Sequence, residues 1–199
     1  GDIQMLRYRL DGFEDLTLKQ KLYIYCLAQA TLWGRDITFH QFGKYNLQIR
    51  KALECIVTEK YKEDSDDFKA LELYLKKVWF ASGIHHHYAM DKFVPAFSRS
   101  YFAEALDSVG KEKLGLDAEE SLTDYITTLS EVIFNPACMP KRVNKAEGAD
   151  VIKTSANNYY EGVSQEEVER FYAEKKETAD DKRLSFGLNS TLVKRGDTL

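Results

Sequence analysis

The chain has 199 residues, 44% of them hydrophobic and 13% aromatic, with a formal net charge of −4. That is enough apolar material for the core of one generous domain, and it excludes an intrinsically disordered chain. A mildly acidic chain has no global field to draw in nucleic acid or anionic lipid, and the basic pairs Lys76-Lys77 and Lys141-Arg142 are short enough to read as solvated surface.

Thr17-Leu18-Lys19-Gln20 fits a capping box, with Thr17 as N-cap and Gln20 reaching back. Leu18, Leu22, Tyr25, Cys26, Leu32 and Trp33 follow at helical spacing, interrupted by Gln29, and Gly34 is expected to end this helix. Asp36 then reads as the N-cap of a turn, and Arg35 as the partner of a carboxylate. A second helix is expected from Asn46, carrying Leu47, Ile49, Leu53, Ile56 and Val57. A third starts near Ser65, where Asp66 and Asp67 favour the positive end of the helix dipole. It carries Phe68, Leu71, Leu75, Val78 and Trp79 and stops at Gly83. Ser98 or Ser100 opens a fourth, with Tyr101, Phe102, Ala105, Leu106 and Val109, closed by Gly110. Asp117–Glu120 is a second capping box, ahead of Leu122, Tyr125, Ile126, Leu129, Val132 and Ile133. Asn135-Pro136 breaks that run. After Pro140 the texture turns polar. A short strand is expected at Val151–Thr154, then a capping box at Ser164–Glu167 for a helix with Val168, Phe171 and Tyr172. A charged loop over 175–183 and a strand over Ser185–Val193 complete the pattern. There is no internal repeat.

These elements predict an α+β fold, mainly α: a helical body over 1–140 and a small mixed α/β portion over 141–199. No apolar run approaches the roughly 20 residues that a membrane span needs. Cys26, Cys55 and Cys138 lack C-x-x-C spacing. They make a poor disulfide framework or zinc knuckle, and Cys26 and Cys55 are expected to be small buried hydrophobes. Gly1 reads as an expression scar, and the strand near the C-terminus is expected to find its partners beyond Leu199. The chain is therefore expected to be a piece of a longer polypeptide. Its compartment stays open between cytoplasm and bacterial cell envelope.

Three stretches carry candidate chemistry. The first is the triplet His85-His86-His87. In a strand, His85 and His87 would share one face and could chelate a metal with Asp91 nearby. In a helix adjacent residues would point about 100° apart and could not. The blander reading has these imidazoles capping backbone groups or lining a cleft. The second is Arg35, Asp36 and His40, which resemble catalytic residues but fit local structural roles. The third is Asp91–Phe97, where Phe93 and Phe97 are either core anchors or exposed contacts for a ligand. The motifs H-E-x-x-H, G-x-S-x-G, G-x-G-x-x-G and the Walker loop do not occur.

Three segments, LTLKQKLYIYCLAQATLWGRDITFHQFGKYNLQIRKALE, YLKKVWFASGIHHHYAMDKFVPAF and SFGLNSTLVK, occur in order and spacing that resemble the N-terminal part of the dipeptidyl-peptidase III family. The likeness is to bacterial members of Bacteroides type and runs from about Asp2 to the last residue. It implies a two-lobed zinc exopeptidase that removes dipeptides from peptide N-termini. In that family the upper lobe holds zinc through H-E-x-x-G-H and a later glutamate in an E-E-x-R-A-E type motif. The metal polarises the scissile carbonyl while the motif glutamate activates water. The lower lobe packs helices around a small β-barrel and lines the cleft.

This chain departs from the family's zinc motifs. None of His40, His85, His86 and His87 is followed by Glu, and Glu169 stands where the second motif needs Arg. The resemblance thus implies the lower lobe's N-terminal portion, with no catalytic or metal-ligating residue of its own. Zinc is expected in the catalytic lobe, on the remaining parent polypeptide. By the same resemblance the Asp91–Pro95 loop lies near the cleft. Phe93 becomes a candidate peptide contact, Asp91, Lys92 and Pro95 shape the loop, and His87 stands on its approach. The partner implied is a peptide, with no nucleic acid and no membrane span. The alternative from another class is a free-standing helical module that binds peptide or protein through the aromatic surface near Phe93.

Overall fold

The computed structural model describes residues 4, 6–178 and 191–199. Six helices and one two-stranded sheet are found among them: α1 Leu18–Phe42, α2 Asn46–Glu59, α3 Asp66–Ala81, α4 Arg99–Leu114, α5 Leu122–Phe134, β1 Tyr160–Glu161, α6 Gln165–Thr178 and β2 Leu192–Val193. The fold is α+β and mainly α. The chain divides into two compact units, Gly1–Thr38 and Phe39–Leu199.

In the first unit the Thr17 capping box forms as expected. The Thr17 amide donates to Gln20 Oε1 at 2.9 Å, and the Gln20 amide donates to Thr17 Oγ1 at 3.4 Å. Just upstream, Lys21 Nζ binds the Glu14 carboxylate at 3.2 Å and lies over the Phe13 ring. Gly34 does not end α1, which runs on to Phe42. A glycine stops a helix when it adopts the left-handed cap, and Gly34 has no such dihedral. In mid-helix it only weakens propensity. Arg35 and Asp36 consequently lie inside α1, so Asp36 is not an N-cap. Cys26 is exposed, against expectation, as are Leu22, Tyr25, Leu32 and Trp33.

The second unit holds the main core. Helix α2 packs on α3 and α4, and α4 packs on α5. The apolar stripes meet where the spacing predicts: Ile49, Leu53 and Ile56 against Leu71, Leu75 and Val78, and Phe102 and Leu106 against Leu129 and Ile133, all buried. Ser65 and Ser98 cap α3 and α4 by accepting from the amides of Phe68 and Tyr101. Helix α3 closes on Ser82 in the left-handed conformation. Gly83 follows where no side chain fits, since a Cβ there would lie 2.3 Å from Asn46 Nδ2. The expected break at Gly110 is present as a non-helical residue, after which one more turn runs to Leu114 and Gly115.

Four expectations are corrected here. Ser121, not Asp117, caps α5 by accepting from the Asp124 amide, while Glu120 bonds back to the Asp117 amide in a separate turn. Val151–Thr154 is a turn. The Asp150 carboxylate accepts from the amides of Ile152 and Lys153, a local bond that outcompetes strand pairing. Residues 175–178 continue α6 instead of opening a loop. Arg142 is half-buried, with its guanidinium over the Phe42 ring at 4.1 Å, and is not solvated surface.

Toward the C-terminus the Ser164 capping box forms in both directions. Val163, Val168 and Leu192 make a second small apolar cluster. Strands β1 and β2 pair in parallel, Tyr160 with Leu192 and Glu161 with Val193. Of the strand expected over 185–193, residues 185–190 lie outside the described residues.

Candidate functional site: the histidine loop

The segment from Ile84 to Phe93 is a closed loop set between α3 and α4. Two backbone bonds close it: the Phe93 amide to Ile84 O and the His86 amide to Asp91 O, each at 2.8 Å. Met90 sits at positive φ to make the bend. Residues 139–142 then run alongside. The Lys92 amide donates to Pro140 O and the Arg142 amide to Met90 O, while Asp91 meets Lys141 in an ion pair of 2.9 Å.

Lys92 anchors this assembly from below. Its ammonium donates to three carbonyls, Val132 O at 3.0 Å, Asn135 O at 2.5 Å and Cys138 O at 2.6 Å. The first two belong to the last turn and cap of α5, where carbonyls run short of helical partners, and Asn135 O also accepts from the Cys138 amide at 3.1 Å. A cation there also complements the negative end of the helix dipole. Burial pulls the Lys92 pKa down from its ordinary value.

The three histidines have three different environments. His85 is only 2% exposed, and its Nε2 lies 2.8 Å from Met139 O. A carbonyl can only accept, so Nε2 carries the proton and buried Nδ1, with no partner, keeps a bare lone pair. Burial, reinforced by the positive charges of Lys92 and Arg142, holds its pKa down at about 4. His86 takes the same tautomer for a different reason: its Nδ1 accepts from the amides of Tyr88 and Ala89, which leaves the proton on Nε2. His87 stacks on His86 with ring centroids 4.5 Å apart, and Arg142 Nη2 donates to its carbonyl. The strand in which His85 and His87 share a face is therefore not formed. No group of three His, Cys, Asp or Glu among the described residues is placed to hold a metal. The zinc implied by the resemblance has no fitting donor set here.

Of the residues read from the sequence, Asp91, Lys92, Phe93 and His87 come together in this loop, with Pro95 half-buried just after it. Phe93 is half-buried, edge-on to Tyr74 and His86, while Phe97 is fully in the core. The outermost apolar side chains are instead Tyr88, 82% exposed, and Val94, 88% exposed, beside Phe80, whose ring meets His87 at 4.9 Å. Sequence reasoning missed Tyr88, Val94 and Phe80. The available signal was alternation around Phe93: if Phe93 turns inward, its neighbour Val94 turns out. His40 lies elsewhere, its Nε2 3.1 Å from Asn158 Nδ2, in an open cavity of about 340 Å³ shared with Lys44, Tyr160 and Glu161.

No helix among the described residues is long and apolar enough to cross a membrane. No family model matches the chain, and a comparison with curated proteins finds no match.

Proposed function

We propose that this chain is the non-catalytic N-terminal part of the lower lobe of a dipeptidyl-peptidase III-like zinc exopeptidase, and that it contributes peptide-binding surface to the cleft. One observation carries the reading. The loop that the resemblance assigns to the cleft, Asp91–Pro95, is tightly braced, by Lys92 and by residues 139–142, yet it presents Val94 to solvent, and Tyr88 stands exposed on its approach. A braced loop with exposed apolar side chains suits a binding surface, since little further ordering is needed when ligand arrives. Asp91, Lys92 and Pro95 shape the loop, and Phe93 backs it from beneath. Zinc held by polypeptide outside these residues would polarise the scissile carbonyl. This chain's own residues would bind and orient the peptide.

The test uses the full-length polypeptide and this chain side by side. Zinc-dependent release of N-terminal dipeptides is expected from the former and none from the latter. Replacing His86 and His87 with Asn in the full-length protein should leave zinc stoichiometric, and loss of the metal would overturn the reading. A reading frame that stops after Leu199 would favour the second reading, a free-standing helical module that binds peptide or protein. The exposed apolar side chains of α1, with Trp33 at 88%, favour that alternative to the extent that they too await a partner.

A further inference from the structure

His86 is held in one tautomer by its own turn. The amides of Tyr88, at 3.2 Å, and Ala89, at 3.1 Å, both donate to Nδ1. An amide N–H can only donate, so the ring proton sits on Nε2. No described residue accepts from Nε2–H, and the atom is not sealed from solvent. The ring plane is fixed as well, by the stack on His87 and by the Phe93 ring standing at 75° to it. The result is an oriented, unsatisfied donor beside the Phe93 ring, with Phe80 and Tyr88 packed on the neighbouring His87 and Val94 exposed after Phe93.

The surroundings select what such a donor would meet. The nearby cations are already engaged: Lys92 with three carbonyls, Arg142 with His87 O and the Phe42 ring, and Lys77 over the Phe93 ring. Asp91, paired with Lys141, is the nearby carboxylate. An anion therefore gains little here. A metal would need the Nε2 lone pair, and moving the proton to Nδ1 would break both amide bonds. A neutral acceptor flanked by apolar groups fits best, and a main-chain carbonyl is that group.

We propose that His86 Nε2–H donates to a main-chain carbonyl of the bound peptide, with Tyr88 and Val94 against the flanking side chains. This rests on the peptide-binding reading above and adds the residue that fixes the peptide's register. The experiment titrates penta-alanine at millimolar concentration into the isotope-labelled chain and follows amide and histidine nitrogen resonances. In the wild-type chain, peptide should shift Tyr88 and Val94, move the His86 Nε2 resonance and slow exchange of its proton. His86→Asn keeps an acceptor where Nδ1 stood and removes the outward donor. It should preserve the Tyr88 and Ala89 amide positions and bind about fivefold more weakly, the loss expected for one net hydrogen bond. Wild-type affinity in His86→Asn, or an unmoved Nε2 resonance while Tyr88 shifts, overturns the assignment of His86 alone. No binding to the wild-type chain overturns the peptide-binding reading and the assignment with it.

Discussion

Acidification should destabilise this protein through His85, and the structure fixes both the sign and the size. In the folded chain Nε2–H donates to Met139 O, and Nδ1 is buried with no acceptor to receive a second proton. Lys92 and Arg142 add unfavourable positive charge, which Asp91 offsets only in part. The folded pKa is about 4, against an ordinary value of 6.5. The unfolded chain thus binds a proton that the folded chain refuses. Stability from this group is fully present above pH 6.5 and is lost as pH falls toward 4. The full difference is worth about 3 kcal/mol, and about 2 kcal/mol of it is lost by pH 5. That is a large share of the stability of an ordinary domain. Carboxylates titrate in the same range, so the measurement has to be a difference. His85→Gln keeps an N–H donor for Met139 O and cannot titrate. Urea unfolding of both proteins at pH 7.5 and pH 5 should show the wild type losing about 2 kcal/mol more than the variant. Equal losses would refute the argument that His85 is locked neutral.

Lys92→Met should cost about 2–4 kcal/mol, because three carbonyls lose a charged donor at once, Asn135 O keeping only the Cys138 amide, and the α5 terminus loses its cation. Hydrogen exchange should localise the effect to the last turn of α5 and to residues 84–93, and unchanged protection there would count against the anchoring role. Gly83→Ala should cost about 1–3 kcal/mol by overpacking against Asn46, read as a lower urea midpoint at constant slope. Ser164→Ala should remove about 1 kcal/mol of capping, seen as faster exchange at the start of α6 without loss of the main core.

The helices of the second unit were legible because their signals are local. Ser65 and Ser98 stand three residues before the amides they cap, and Ile49, Leu53 and Ile56 or Leu71, Leu75 and Val78 repeat at helical spacing. The misreadings were contests between two local signals of similar strength. Gly34 offered a stop that its dihedral does not enact, because helix formers continue on both sides of it. Asp117 has the spacing of a capping box, but Ser121, which adjoins the apolar run, caps the helix. Val151, Ile152 and Thr154 are the β-branched residues that strands favour, but Asp150 beside them ties the amides into a turn.

The site was legible only as far as its local sequence reached. The stretch from Asp91 to Pro95 was found, but its supports lie some fifty residues away, at 139–142, and no periodicity reports a partner at that distance. For the same reason composition could not assign the histidines separate roles. Three adjacent imidazoles look equivalent until a Met139 carbonyl claims Nε2 of the first and two amides claim Nδ1 of the second. Those claims put the proton on Nε2 of both neighbouring rings, but only the first ring spends it on the protein's own carbonyl. One ring is thereby locked into the interior, where protonation costs stability. The next is left with an outward donor, where the same chemical group is available for binding. A metal chelate would have required the triplet to act in concert, and the backbone around it has instead divided it.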